Sequence, residues 1–130
     1  MTHSRQDISR LLAEHGLSPR RAFGQNFVAD ANTVRRIARL ANVGPDDLVI
    51  EIGAGLGSLT LALADTGATV IAIEIDHGIA PVLRSVVVDR SNVSVVEGDA
   101  RTVDWQQLVP PGRRAVVVAN LPYNVATPLI

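Results

Sequence analysis

Three kinds of residue are missing or scarce in this 130-residue sequence: it has no cysteine, no lysine and only four aromatic residues. Without cysteine the chain can form no disulfide, no cysteine-ligated zinc site and no thiol nucleophile. This fits a reducing cytoplasm, which we take as the expected location, and equally an exported protein. No apolar run approaches the ~18 residues of a membrane-spanning helix, and the polar N-terminus is followed by no apolar segment, so we predict no signal peptide.

The charges are unevenly placed, and all twelve basic residues are arginine. Residues 1–40 carry seven arginines against three acids, a balance of +4, whereas residues 41–130 carry five against ten, a balance of −5. A basic segment of this kind can contact the phosphates of a nucleic acid. The alternative is a solvated helix face in a protein whose genome favours arginine codons.

The remaining composition, 47% hydrophobic and 19% charged, is typical of one globular domain. Apolar runs predict four strands, over 48–52, 69–75, 93–96 and 115–119. Helical patterns lie between them, from an N-cap at Asp30 to 41, from an N-cap at Ser58 to 65, from Pro81 to about Arg90, and as a short turn over 104–109. Strands that alternate with helices indicate an α/β fold with a doubly wound parallel sheet.

The segment Asn120-Leu121-Pro122-Tyr123 directly follows the last predicted strand. In an open α/β sheet, ligands bind at the carboxyl ends of the strands. An amide, main-chain carbonyls and an aromatic ring suit the exocyclic amine and the flat ring of a nucleic-acid base. The alternative is an ordinary strand-ending turn, in which asparagine and proline are common.

A glycine loop with the spacing G-x-G-x-G, from Gly53 to Gly57, lies between the first strand and the next helix. Glycines there let the backbone turn sharply and let a ligand approach closely. The dinucleotide-binding fingerprint would need glycine or alanine at position 58, which is Ser58, so the loop argues against NAD or FAD. The alternative is a purely structural turn.

Acidic residues mark the ends of the next two strands. Glu74 lies 21 residues after Gly53 (74 − 53), close to the ~20-residue offset of an acid that accepts from ribose hydroxyls. Asp99, between Gly98 and Ala100, could accept from an adenine amine. The alternatives are that Glu74 caps the next helix or meets water, and that Asp99 belongs to a turn. Four strand ends would then present candidate ligand groups at one edge of the sheet.

Taken together, these motifs resemble those of class I S-adenosylmethionine-dependent methyltransferases: Glu51-x-Gly53-x-Gly55-x-Gly57, Glu74, Gly98-Asp99-Ala100 and Asn120-Leu121-Pro122-Tyr123. With Gly24-Gln25-Asn26-Phe27 ahead of the first strand, residues 18–130 resemble the ribosomal RNA small-subunit adenine N6,N6-dimethyltransferases of the kasugamycin-resistance type. The resemblance implies a truncated Rossmann-like fold, S-adenosylmethionine as cofactor, and methyl transfer to two adjacent adenines near the 3′ end of 16S rRNA in a pre-30S particle.

The resemblance also implies a role for each matching residue. The residues expected to bind the cofactor are Gln25, Asn26, Val28, Gly53, Gly55, Glu74, Asp99, Ala100 and Asn120. Gln25, Asn26 and Val28 would contact its methionine part, and the two glycines would line its aminoacyl and ribose portion. Glu74 would hold the ribose hydroxyls, and Asp99 with Ala100 would hold the adenine. Two departures are small: Val28 stands where leucine is common, and Ala54 where many members carry proline.

The expected chemistry centres on the adenine N6 amine, whose lone pair is delocalised into the ring. The side-chain carbonyl of Asn120 and the main-chain carbonyl of Leu121 would accept its two hydrogens and so localise the lone pair. Pro122 would stiffen the turn, and Tyr123 would stack on the flipped base. Transfer would depend on positioning, so neither a metal nor a strong base is expected.

Two other interpretations stay open. A sister group methylates large-subunit rRNA and confers macrolide resistance, and related non-catalytic proteins keep the fold as binding modules. We predict an N-terminal helical segment with a basic loop over 1–47 and a partial cofactor-binding domain over 48–130. Since the family continues with further strands, a second base-stacking aromatic and a helical C-terminal domain, we expect a fragment that is inactive alone, from a protein that is monomeric at full length.

Overall fold

The computed structural model describes Arg10 and residues 13–16 and 31–119. Within the last range the elements follow one another as α1 (Ala31–Ala41), β1 (Leu48–Ile52), α2 (Ser58–Ala64), β2 (Thr69–Glu74), α3 (Ala80–Val86), β3 (Val93–Glu97), α4 (Trp105–Leu108) and β4 (Ala115–Ala119). All four predicted strands are present, and the predicted α/β alternation is confirmed.

The four strands form one parallel sheet in the order β3-β2-β1-β4. Leu48 of β1 pairs with Thr69 of β2 on one side and with Ala115 of β4 on the other. The sheet continues outward from β2 to β3, where Val70 lies opposite Val93. The chain thus runs from β1 to β3 in one direction and returns to place β4 on the far side of β1. Open α/β sheets bind ligands beside such a reversal, at the carboxyl ends of the strands, which here are those of β1 and β4.

Apolar side chains cover both faces of the sheet. On one face, Val49 and Val70 are fully buried against α1 and α2 through Val34 and Leu63. On the other face, Ile50 and Ile73 belong to a second core, against which α4 packs. Strands that are buried on both faces read as continuous apolar runs, which explains why their positions were predictable.

Two helix boundaries differ from the prediction. Gly57, with φ +90°, is the N-cap of α2, and Ser58 is its first helical residue, so the prediction that Ser58 caps this helix was wrong. Helix α3 ends at Val86 rather than near Arg90; it stops within a run of three β-branched valines, which are poor helix formers. The short turn over 104–109 is α4, capped by Asp104 through the main-chain N–H groups of residues 106 and 107.

Helix α1 packs on the same core as the sheet, because Val34 is buried among residues of β1, α2 and β4. The predicted division of the chain at residue 47 stays a prediction. The predicted N-cap at Asp30 lies outside the described residues. In the part of the chain that the structure describes, no helix is long and apolar enough to cross a membrane.

Candidate functional site

The glycine loop between β1 and α2 follows a path that favours glycine at three positions. Gly53, Gly55 and Gly57 have φ of +76°, +60° and +90°, in the left-handed region that other residues rarely adopt. Gly57 is crowded as well, since a Cβ atom there would lie 3.0 Å from Leu83 Cδ1 and 3.2 Å from Val86 Cγ1. The G-x-G-x-G spacing is therefore a requirement of the backbone.

Four main-chain N–H groups of this loop are engaged inside the protein. Gly53 and Ala54 both donate to the carbonyl of Ile73, with N···O distances of 3.0 and 3.2 Å, and Gly57 donates to the carbonyl of Ala54 over 3.1 Å. Gly55 donates to Glu74 Oε1 over 2.8 Å. A phosphate-binding loop instead points its N–H groups at the anion. This loop is therefore poorly suited to a phosphate and better suited to a ligand that brings its own donors.

Glu74 lies beneath the loop at the end of β2 and is 3% exposed. Its second oxygen, Oε2, accepts from the N–H of Asp76 over 2.9 Å. Burial raises the pKa of this carboxyl, and the bonds from Asp76 and Gly55 oppose the rise. Glu74 does not cap the next helix, because the N-cap of that helix is Ile79. A buried carboxylate held by main-chain donors is a fixed acceptor at the edge of the sheet.

Asp99 lies beyond β3 at the same edge, and its carboxylate is occupied by Arg101. The guanidinium Nη2 lies 2.8 Å from Oδ2 and Nε lies 3.1 Å from Oδ1, while the N–H of Arg101 also donates to Oδ1 over 2.8 Å. These hydrogen bonds, the side-chain ones above all, lower the pKa of Asp99. Ala100 is buried, and its carbonyl accepts from Trp105 Nε1 over 3.0 Å. Asp99 therefore does take part in a turn, and an incoming adenine amine would meet an acceptor already paired with a cation.

Glu51 is an acid to which the sequence assigned no role of its own. It lies inside β1 and is 1% exposed, and its Oε1 accepts a hydrogen bond from the hydroxyl of Thr60. Burial raises its pKa to about 8, against the lowering effect of the Thr60 bond and with a further rise from Glu74. The signal was present in the sequence, because Glu51 interrupts the apolar run Leu48–Ile52.

Ile75 is a second residue of this edge to which the sequence motifs assign no role. It directly follows Glu74 and is 56% exposed. An apolar side chain in solvent beside a buried acceptor gives this edge of the sheet both a polar and an apolar contact surface. The signal was weak, since Ile75 reads as a continuation of the strand, which in fact ends at Glu74.

Several predicted site residues lie outside the described residues: Gln25, Asn26, Val28, Asn120, Leu121, Pro122 and Tyr123. The last described residue of β4, Ala119, pairs with Ile52 immediately before the glycine loop. Among the described residues, no cluster of three or more histidine, aspartate or glutamate side chains could hold a metal ion.

The sheet order, the glycine loop and the buried acid at the end of β2 define the class: this is the Rossmann-like fold of class I S-adenosylmethionine-dependent methyltransferases. The structure is similar to that of the 23S rRNA methyltransferase ErmE, with a TM-score of 0.68 and 35% identity over 78% of this chain and 39% of that one. It is also similar to a dimethyladenosine transferase from Plasmodium falciparum, with a TM-score of 0.63 and 30% identity over 77% of this chain and 35% of that one.

The sequence sharpens this class to a family. Residues 16–130 match the model described as ribosomal RNA adenine dimethylase, and the chain belongs to that family. The ribosomal RNA small subunit methyltransferase A of Phenylobacterium zucineum is 50% identical over 123 residues, covering 95% of this chain and 43% of that protein. The corresponding protein of Moorella thermoacetica is 50% identical over 128 residues, covering 92% of this chain and 44% of that protein. The chain therefore spans less than half the length of these relatives, and the resemblance predicted from its motifs is confirmed.

Proposed function

We propose that this chain carries the cofactor-binding part of an rRNA adenine N6-dimethyltransferase. Such an enzyme transfers methyl groups from S-adenosylmethionine to two adjacent adenines of 16S rRNA and so aids maturation of the small ribosomal subunit. The observation that carries the proposal is the loop contact from Gly55 N–H to Glu74 Oε1 at 2.8 Å. A loop with engaged donors above a buried carboxylate suits a ligand with hydroxyl donors and positive charge, which this cofactor has and a pyrophosphate lacks.

The ribose part of the cofactor fits the remaining capacity of Glu74. Each of its oxygens accepts one main-chain bond, and a carboxylate oxygen has room for a second. Glu74 can thus take ribose hydroxyls without releasing the loop. Gly53 and Gly55 would line the aminoacyl and ribose portion. The methionine end would be contacted by Gln25, Asn26 and Val28, as the family resemblance implies.

The adenine of the cofactor would lie beyond β2 and β3. Ile75 offers an exposed apolar surface for the ring, Asp99 an acceptor for the amine, and Ala100 a small buried neighbour. Arg101 has to leave Asp99 before the amine can bind. Because the Arg101 side chain is 60% exposed, this exchange requires no rearrangement of the core.

The methyl transfer itself would be directed by Asn120, Leu121, Pro122 and Tyr123. Bound S-adenosylmethionine supplies a methyl group that is activated by its positively charged sulfur. The carbonyls of Asn120 and Leu121 would accept the hydrogens of the adenine N6 and aim its lone pair. Tyr123 would stack on the flipped base, a contact worth ~1–3 kcal/mol, and Pro122 would stiffen the turn. Since these residues act by positioning, the proposal includes no metal.

The outer face of α1 supports an RNA substrate. Arg35, Arg36 and Arg39 are exposed there, and the first turn of the helix carries no acid. Three other arginines each lie within 4.0 Å of a carboxylate, namely Arg84, Arg90 and Arg101. Arg36 and Arg39 have no such partner among the residues that the structure describes. RNA phosphates would complement this face. The RNA would belong to a pre-30S particle in the cytoplasm, and the full-length enzyme would act as a monomer.

The substrate is tested with a chimera in which the remainder of the Phenylobacterium zucineum relative completes this chain. Labelled methyl groups should enter 30S subunits that lack these modifications and not 50S subunits. Asn120→Ala should abolish transfer while weakening cofactor binding less. Normal turnover by this variant would reject the assignment. Transfer to 50S subunits would favour the large-subunit alternative, and cofactor binding without transfer the non-catalytic one.

The arginine face is tested by charge reversal in the same chimera. Arg36→Glu with Arg39→Glu should weaken binding to the 3′ stem-loop of 16S rRNA by about tenfold and reduce the salt dependence by roughly two counterions. The matched control is Arg113→Glu with Arg114→Glu, which changes the net charge equally just before β4, at the amino edge of the sheet. Equal losses in both double variants would show a general charge effect and contradict a specific role for α1.

A further inference from the structure

One buried acid takes no part in the proposed function. Glu51 lies on the central strand β1 and is 1% exposed. It stands opposite Ala72 in register, and since alternate residues of a strand share a face, Glu51 and Glu74 lie on the same side of the sheet. A buried carboxyl is costly unless it has partners, so an acid at this position requires an explanation.

The hydrogen bond of Glu51 closes the base of the glycine loop. Its donor is the hydroxyl of Thr60, which is 0% exposed. Glu51 is the penultimate residue of β1 and Thr60 the third residue of α2. The bond therefore joins the two elements that the loop connects, and it holds the two ends of the loop together.

The middle of the loop is fixed by separate contacts. Gly55 N–H is bound to Glu74 at 2.8 Å, and Gly53 and Ala54 are bound to the carbonyl of Ile73. Two neighbouring carboxyls would repel one another if both were ionised. Burial raises the pKa of Glu51 to about 8, which favours its uncharged form and reduces the repulsion between the two carboxyls.

We propose that Glu51 and Thr60 form a positioning pair, which fixes the ends of the glycine loop so that the N–H of Gly55 stays hydrogen-bonded to Glu74. Glu51 and Thr60 are hydrogen-bonded to one another across the base of the loop, so they act by holding its ends together. The consequence for cofactor affinity rests on the proposed function, whereas the consequence for the order of the loop does not.

The test compares three threonine variants of the chain. Thr60→Val keeps the shape and removes the donor, Thr60→Ser keeps the donor, and Thr66→Val removes a hydroxyl that donates to the carbonyl of Leu63 at the far end of α2 over 2.5 Å. Thr60→Val should speed hydrogen exchange of the Gly55 amide and weaken S-adenosylmethionine binding, each by about tenfold. Thr60→Ser should stay close to the native chain in both, and Thr66→Val should change neither.

The two readouts separate the possible failures. A folded Thr60→Val chain with native exchange at Gly55 overturns the positioning pair, even if its overall stability falls. A native chain that does not bind S-adenosylmethionine contradicts the proposed function. The exchange rates then still show whether Glu51 and Thr60 position the loop. Should Thr60→Val not fold, Thr60→Cys replaces it, because a thiol is a weak donor. Its exchange rate should lie above that of the native chain, and an unchanged rate overturns the proposal.

Discussion

Glu74 and Glu97 are the same residue type at paired positions of neighbouring strands, yet they lie in opposite environments. They stand directly opposite one another in the register of β2 and β3. Glu74 is buried, and both of its oxygens accept from main-chain N–H groups. Glu97 is exposed, and its oxygens lie 2.5 Å from His77 Nδ1 and 3.6 Å from Arg84 Nη1.

The comparison separates fixed acceptors from exchangeable ones. Burial raises the pKa of Glu74, whereas the hydrogen bond from His77, with smaller help from Arg84, lowers that of Glu97. The Gly55 N–H cannot leave Glu74 without moving the glycine loop, so this carboxylate is held in place before any ligand arrives. Side-chain partners at the surface are screened by salt and can swing away. A ligand should therefore meet a fixed acceptor at the end of β2, whereas at the end of β3 it has to compete with side-chain partners for the carboxylate.

The largest effect is expected where burial is most complete, at Glu51. Its ordinary pKa of 4.5 becomes about 8 in the folded chain. Between these values the folded state keeps a proton that the unfolded state has lost, so stability falls as the pH rises from about 4.5 to 8. Glu51→Gln can still accept from Thr60 but does not titrate. The free energy of unfolding of Glu51→Gln, relative to that of the native chain, should rise across this window by at most about 5 kcal/mol and then level off.

Urea unfolding of both chains at several pH values measures this difference. Subtracting the two curves removes the contributions of the groups that they share, including Glu74. Curves that run parallel from pH 5 to 8 would show that Glu51 is ionised in the folded chain, and the buried acid would then need a positive partner.

A smaller effect is expected from the matched pair Glu74→Gln and Glu97→Gln. The amide nitrogen introduced at position 74 cannot accept, so one main-chain N–H, of Gly55 or Asp76, is left without its acceptor in a buried site. The expected loss is about 1–3 kcal/mol of unfolding free energy, together with weaker S-adenosylmethionine binding. Glu97→Gln should leave both unchanged, because its partners can turn to water. Equal effects at the two positions would contradict the distinction drawn between them.

The fold was predictable because local signals agreed with the tertiary structure. Apolar runs bounded by turn residues located all four strands, and Asp104 caps α4 at the start of the turn predicted there. The cap of α2 was misplaced because a positive φ at Gly57 is a property of the folded loop. A serine before a helix is normally a sound N-cap signal, and here the glycine takes that position.

The site was predictable in outline but not in its bonds. Glu74 was identified from its offset to Gly53 and Asp99 from its place after the third strand, and the structure brings both to one edge of the sheet. The contact between Gly55 and Glu74 spans 19 residues, and that between Glu51 and Thr60 joins a strand to a helix. Such contacts depend on register and packing, which no local pattern contains. The Arg101–Asp99 pair is only two residues apart and could have been found from the sequence.

The smallest effect is expected at Arg101, where we can test directly whether a ligand displaces the side-chain partner of a carboxylate. If its guanidinium competes with the adenine amine for Asp99, Arg101→Leu should bind S-adenosylmethionine about two- to fivefold more tightly at low ionic strength. The difference in affinity between this variant and the native chain should narrow as salt weakens the Arg101–Asp99 pair. Arg84→Leu is the matched control, since it removes an arginine partner of Glu97 at the same edge and should leave the affinity unchanged. Weaker binding by Arg101→Leu would mean that the arginine contacts the cofactor itself, and Asp99 with Arg101 would then act as one preset unit, as Glu74 and the loop do.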